Sequence, residues 1–302
     1  MTPSDERTGY ATPAALRRGL ADRLRPYARP HGPFNLQDLQ RQYAYDRLLA
    51  RLYVVSDEWV LKGATALLAR GIAVRHTVDV DLYRRVRADQ AERDLRAAAA
   101  HDLGDWFGFE LGAGRATVGA ATIRWPVTAL IGAAPWARFH VDLVGDLRDL
   151  TGTPDPVPAL TPVELPGLVR PGYQAYPFVD HIADKISAMY EVHGRQHRPS
   201  TRYKDLVDLV ALVRHAEVGA EAQRSALSAE VARRGLAWPE HFDVPDRALW
   251  RRGFAAELRR APGLDVTDLD DALSQVRPFV QPLLDGTATG VWSPKAGRWR
   301  GA

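Results

Sequence analysis

Apolar positions along the chain change period twice, and each change marks a change of architecture. Residues 13 to 55 repeat at helical spacing, with one helix expected to start near Thr12-Pro13, where threonine can cap and proline suits the first turn. From 57 to 150 the pattern shortens. Trp59-Val60-Leu61 reads as a strand, Lys62-Gly63-Ala64-Thr65 as a tight turn into a short apolar helix, and Val78-Asp79-Val80-Asp81-Leu82 as a strand of strict alternation. A helix over about 88–103 and strands near 108–111, 121–130 and 138–144 complete a region whose sheet is expected to be largely antiparallel.

Prolines at 154, 156, 158, 162, 166, 171 and 177 forbid long helices and interior strands, so residues 151–178 read as an extended connector. Beyond it the period is helical again. Val179, Ile182, Ile186, Met189 and Tyr190 form one stripe and Leu206, Leu209, Val210 and Val213 another, with further helices expected at about 219–235, 246–260 and 267–284. The expected class is α+β: packing helices over 1–56, a sheet-bearing core over 57–150, the connector, a helical domain over 179–285, and a loose tail over 286–302. No internal repeat is visible.

Composition supports a globular chain of 302 residues, 46% hydrophobic and able to bury a core. Its formal charge is only +3, yet arginines gather at 17–29, 195–204 and 247–260, either as solvated helix faces or as local positive fields for polyanions. Of forty basic residues only Lys62, Lys185, Lys204 and Lys295 are lysines, and the first three fall in the motifs below. A lysine in an arginine-rich chain suits a site needing a compact ammonium. The absence of cysteine excludes disulfides and thiolate chemistry. With no long apolar run and no basic-then-apolar start over Met1 to Arg7, a cytoplasmic location is expected.

The chemistry concentrates in the core. Asp79 and Asp81 fall on one face of their strand, roughly 7 Å apart between Cα atoms, and Phe139-His140-Val141-Asp142-Leu143 alternates so that Asp142 can join them. Three carboxylates on adjacent strands can hold two Mg²⁺ ions about 3.5–4 Å apart, which stabilises entering and leaving oxygens at phosphorus. A lone Asp-x-Asp more often faces solvent; the upstream glycine turn and the third acid favour the metal site. Downstream, Lys185 on a helix suits neutralisation of a triphosphate. Asp205 and Asp208, three apart on the next helix, either orient Lys185 or an arginine, contact a ribose or base, or pair on the surface. Arg195, His197 and Arg198 fall in a polar loop, and His76 is either a phosphate contact or polar surface.

These residues resemble the AbiEii/AbiGii toxin family, nucleotidyltransferase-fold proteins of the DNA polymerase beta superfamily that include the mycobacterial MenT toxins. The resemblance runs through Leu61 to Leu67, Arg75 to Asp81, Asp142, Lys185 and Arg202 to Leu209, about half the chain, with Ala64 standing where a second glycine is usual. It implies a nucleotidyltransferase-like mixed sheet flanked by helices, a helical C-terminal domain, and a nucleotide bound between the two. It also implies the toxin of a bacterial toxin/antitoxin pair, with an NTP, an antitoxin and an RNA acceptor, by similarity the tRNA 3′ end, as partners. Asp79, Asp81 and Asp142 would hold Mg²⁺, and Lys62, Gly63, Thr65, Lys185, Arg202, Lys204, Asp205 and Asp208 would serve the nucleotide.

Rival readings keep part of this. The acceptor can be a small molecule or a protein side chain. A glycosyltransferase would place a parallel βα region before its Asp-x-Asp, where residues 1–56 read as helices. An inactive nucleotide-binding module would leave the intact acids without a purpose.

Overall fold

The computed structural model describes residues 9–117, 122–194 and 198–301. The expectations placed on Met1 to Arg7, on Ala121, and on Arg195 and His197 therefore lie outside the described residues. The chain divides into two compact units: residues up to Gly71 with His76–Asp149 and Asp155–Ala175, and then Ile72–Arg75 with Leu150–Pro154 and Tyr176 onward.

The first unit opens on α1 (Pro13–Leu24), whose Thr12 side chain caps Ala15 N–H at 3.2 Å with proline in the first turn. After α2 (Leu36–Val55) come β1 (Val60–Leu61), α3 (Gly63–Ala69), β2 (Asp79–Arg84), α4 (Ala88–Ala100), β3 (Phe107–Leu111), β4 (Arg115–Ala116), β5 (Thr122–Ile131), β6 (Ala134–Gly145), β7 (Asp155–Val157) and β8 (Tyr173–Ala175). The strands form one mixed sheet in the order β3-β5-β6-β2-β1-β8-β7, with β4 also on β5. Pairing is antiparallel except between β2 and β6 and between β1 and β8. The tight β5–β6 hairpin turns at Gly132, whose φ of 61° suits a residue without Cβ.

Alternation decides the sheet's two faces. Val80, Leu82, Trp125, Val127, Phe139, Val141 and Leu143 are all buried, and Tyr45 of α2 meets Phe139 edge-on at 4.8 Å. The alternate positions carry the acids. Two arginines that α2 takes inside are paired: Arg47 and Arg51 grip Asp105 at 2.7 and 2.6 Å, with no side chain of the three more than 2% exposed.

The proline-rich segment does more than connect. Buried Asp46 of α2 accepts from Leu160 N–H, Thr161 N–H and hydroxyl, and Tyr173 hydroxyl, which draws residues 155–175 into the first unit. Pro156 is tolerated because β7 is the sheet's edge.

The second unit is helical: α5 (Phe178–Tyr190), α6 (Tyr203–Val213), α7 (Ala220–Arg233), α8 (Arg247–Leu258) and α9 (Leu269–Leu284), with a short ribbon of β9 (Val192–His193) and β10 (Arg198–Pro199). The stripes expected on α5 and α6 are buried except for Tyr190, which is half-buried at the end of α5. The tail expected to be loose is instead a hairpin, β11 (Val291–Ser293) with β12 (Arg298–Arg300). Its tryptophans explain the difference: Trp292 is 2% exposed, donates to Val213 carbonyl at 2.8 Å, and packs with Trp299 around Phe279. Among the described residues no helix is long and apolar enough to cross a membrane.

Candidate active site

Strand register assembles the acids. On parallel β2 and β6, Asp81 stands opposite Asp142 and Asp79 opposite His140. On antiparallel β5, Arg124 stands opposite Asp142 and Pro126 opposite His140. Since directly paired residues share a face, two cross-strand rows lie side by side: Arg124–Asp142–Asp81, and Pro126–His140–Asp79.

Within these rows the side chains are already engaged. Arg124 grips Asp142 through two hydrogen bonds, 2.7 and 2.6 Å, and its Nη2 reaches to 3.5 Å from Asp79 Oδ2. The Asp142 hydrogen bonds, reinforced by the charge of Asp79, hold this guanidinium more firmly protonated than an ordinary arginine. His140 Nδ1 lies 3.3 Å from Asp79 Oδ1 without the alignment of a hydrogen bond, so that among the described residues this shielded oxygen accepts none. Among the described residues no three His, Asp or Glu side chains are drawn together as a metal cluster as they stand. The backbone puts the three carboxylates on one face, while Arg124 holds one of them to itself.

The glycine turn is fixed by the same acids. Gly63 has φ of 51°, and a Cβ there would stand 2.2 Å from Asp81 Oδ2, so no other residue lets β2 approach so closely. Lys62 N–H donates to Asp81 carbonyl at 2.8 Å. Thr65, fully buried, accepts from Asp81 N–H at 3.1 Å and donates to Asp79 carbonyl at 3.2 Å, which fastens α3 to the Asp-x-Asp strand. Ala64 is buried inside α3 with no positive φ, so its Cβ is accommodated.

A second constellation lies wholly within the helical unit. Lys185 is 5% exposed, and its Nζ sits 3.1 Å from Asp205 and 2.7 Å from Asp208. Arg75 grips Asp208 through two bonds of 3.0 and 2.8 Å, and Arg202 holds Asp205 at 2.6 Å. Burial alone would lower the Lys185 ammonium, but Asp208 and Asp205 outweigh it and hold it above the usual range. Burial would raise Asp208; Lys185 and Arg75 reverse that and bring its carboxyl down to about 2.

The structure thus gathers Asp79, Asp81 and Asp142 with Lys62, Gly63 and Thr65 in one unit, and Lys185, Arg202, Asp205 and Asp208 in the other. Lys204 is exposed on α6, Arg198 lies on β10, and His76 is fastened to Asp38 through its carbonyl at 3.1 Å. Sequence reasoning overlooked Arg124 and His140, and it foresaw an arginine partner for Asp205 and Asp208 without identifying Arg75. The signal for His140 was in plain view: it stands two residues before Asp142 in an alternating strand.

A family model described as "Nucleotidyl transferase AbiEii toxin, Type IV TA system" matches residues 47–275. No curated protein sequence matches the chain. Among solved structures the chain is similar to MenT4, a nucleotidyltransferase toxin from Mycobacterium tuberculosis, at 16% identity and TM-score 0.49, covering 90% of this chain and 98% of that one. It is also similar to JHP933 from Helicobacter pylori, at 14% identity and TM-score 0.47, covering 83% of this chain and 93% of that one.

Proposed function

The chain belongs to the family of AbiEii nucleotidyl transferase toxins of type IV toxin–antitoxin systems, and from that premise we propose that it transfers a nucleoside monophosphate from an NTP to an RNA hydroxyl. The single observation that supports this reading most is the register of β2 and β6, which lays Asp79, Asp81 and Asp142 on one face beside the Gly63 turn. In our reading the acceptor is a tRNA 3′ end, so that transfer blocks translation, the protein works in the cytoplasm, and a cognate antitoxin restrains it.

The residues fit divalent magnesium. Three hard carboxylates share a face, Asp79 Oδ1 accepts no hydrogen bond among the described residues, and a guanidinium already bridges toward two of the acids. Asp79, Asp81 and Asp142 would hold the ions, which when bound offset the charge on the oxygens entering and leaving at phosphorus. Gly63 admits Asp81 to the turn, and Thr65 holds Asp79 and Asp81 in place through their backbones. Lys62 and Lys185 serve the triphosphate. Asp205 and Asp208, with Arg202 and Arg75, orient Lys185, and Lys204, exposed on α6, is offered to the nucleotide. The new oxygen–phosphorus bond forms as the bond to pyrophosphate breaks, and the hydroxyl proton leaves to solvent.

The test is incubation of the purified protein with Mg²⁺, total RNA and each labelled NTP, beside Asp79→Asn. Label should enter RNA with the parent and fall by orders of magnitude with the variant, whose volume and fold are kept. Equal labelling by both, or label entering only small molecules or protein, would defeat the assignment.

A further inference from the structure

The face that carries the acids continues into a groove. It encloses about 510 Å³ between β3, β5 and β6, lined among others by Val78, Glu110, Pro126, Thr128, Arg138 and His140. Register places these residues in order beside the acids. The row Pro126–His140 runs directly into Asp79, and the next row along the strands is Glu110–Thr128–Arg138. A third row, on the other side, extends Asp81–Asp142–Arg124 to Arg115 of β4. His140 therefore belongs to both places, lining the groove and standing 3.3 Å from Asp79.

The groove's chemistry is mixed in a particular way. Val78 is 51% exposed and Pro126 is exposed, so apolar surface faces solvent beside the acids. The imidazole of His140, 43% exposed, offers a ring face, and the exposed side chains of Arg138 and Arg115 add positive charge on either side. Flat rings strung on a polyanion match such a surface: a base stacks on a ring or apolar face while its phosphate meets an arginine. Solvated carboxylates alone would repel a polyanion, which makes the flanking arginines necessary.

Direction then fixes which substrate enters here. In an in-line displacement the entering and departing oxygens lie on opposite sides of phosphorus. Lys62 and Gly63 follow β1, on one side of β2, whereas the groove is built on β6 and β5, on the other. With the triphosphate toward Lys62, as the proposed function has it and on which this step rests, the nucleophile approaches from the groove.

We infer that the groove between β3, β5 and β6 is the acceptor subsite, receiving the terminal nucleotide of a single-stranded RNA 3′ end, with Arg138 on its phosphate and Pro126 and His140 beneath its base. The terminal hydroxyl oxygen then forms the bond to the α-phosphorus, pyrophosphate leaves with the electrons of the broken bond, and the proton passes to solvent.

The experiment uses the full chain and reads binding separately from turnover. A short fluorescent oligoribonucleotide with a free 3′ hydroxyl is titrated by anisotropy at several salt concentrations against the parent, Arg138→Ala, and Thr128→Trp, which fills the groove. Arg138→Ala should make the plot of log K against log salt shallower by about 0.7, the loss of one phosphate contact on a single strand. Thr128→Trp should weaken RNA binding at least tenfold. Both variants should keep the parent's NTP affinity and circular dichroism. RNA binding unchanged in both variants, or absent from the parent, overturns the inference. Groove-dependent RNA binding by a parent that transfers no nucleotide would uphold the RNA site and sink the transferase reading instead.

Discussion

Lys185 shares its two acids with two arginines, so what the lysine itself contributes to stability can be measured. Five charged groups meet in the helical unit: Asp205 and Asp208 against Lys185, Arg75 and Arg202. Each acid has an arginine of its own, so deleting the lysine leaves two matched pairs. Lys185→Met keeps much of the stem's volume and removes a desolvated charge, a change that in buried clusters costs little or stabilises. We expect unfolding in urea within about 1 kcal/mol of the parent. Asp208→Asn is the opposite case. It takes the Asp208 charge away from both Arg75 and Lys185, and removing one partner of a buried ion pair costs about 3–5 kcal/mol. The acid limb gives an independent reading. Lys185 and Arg75 bring the Asp208 carboxyl down to about 2, so its ionised form contributes on the order of 2 kcal/mol. That stability is present above pH 4 and is lost as pH falls toward 2. It should be missing from Asp208→Asn. Nucleotide transfer separates the roles: Lys185→Met should fold yet lose kcat/KM for NTP by a hundredfold or more, about 2.7 kcal/mol of transition-state stabilisation. If Lys185→Met costs as much stability as Asp208→Asn, the lysine is a structural counter-ion and the two arginines do not suffice for the acids.

Other outcomes follow from single contacts. Gly63→Ala must place a methyl 2.2 Å from Asp81 Oδ2 at φ of 51°, so it should cost about 1–2 kcal/mol in strain and displace Asp81. Transfer assays and unfolding together would show both losses, and a fully active, stable variant would contradict the turn geometry. Arg124→Ala frees Asp142 from its bidentate partner, and calorimetric titration with Mg²⁺ should show several-fold tighter binding. Weaker binding would mean that Arg124 holds the acids ready rather than occupying them. Trp292→Ala empties a site 2% exposed and removes the hydrogen bond to Val213, at about 3–5 kcal/mol by denaturant unfolding; a loss below 1 kcal/mol would show that the terminal hairpin does not brace the helices.

What the sequence disclosed and what it withheld divide along a physical line. Period alone located α4, α5, α6, β2 and β6, because each buries one face and the alternation of Val80, Leu82, Val141 and Leu143 is visible without any partner. It also put Asp79 and Asp81 on one face, since that is a property of one strand. The pairing of Asp81 with Asp142 depended on which strands adjoin, and here on β6 running parallel to β2 after crossing from β5. The tail illustrates the opposite failure: Gly, Thr, Pro and Arg suggested looseness, but two tryptophans with a ready aromatic partner in Phe279 outweighed composition. Arg124 was hidden for a third reason. Thirty arginines and more surround it in the sequence, and only antiparallel register distinguishes the one facing Asp142 from the rest. The same register argument makes the acceptor groove more than a hollow. Its residues alternate with a buried set on the same strands, so the face that carries them is fixed by the core behind it. Shifting β5 by one residue would turn Trp125 outward and carry Arg124 away from Asp142 together. Core and site therefore cannot be tuned apart on this sheet.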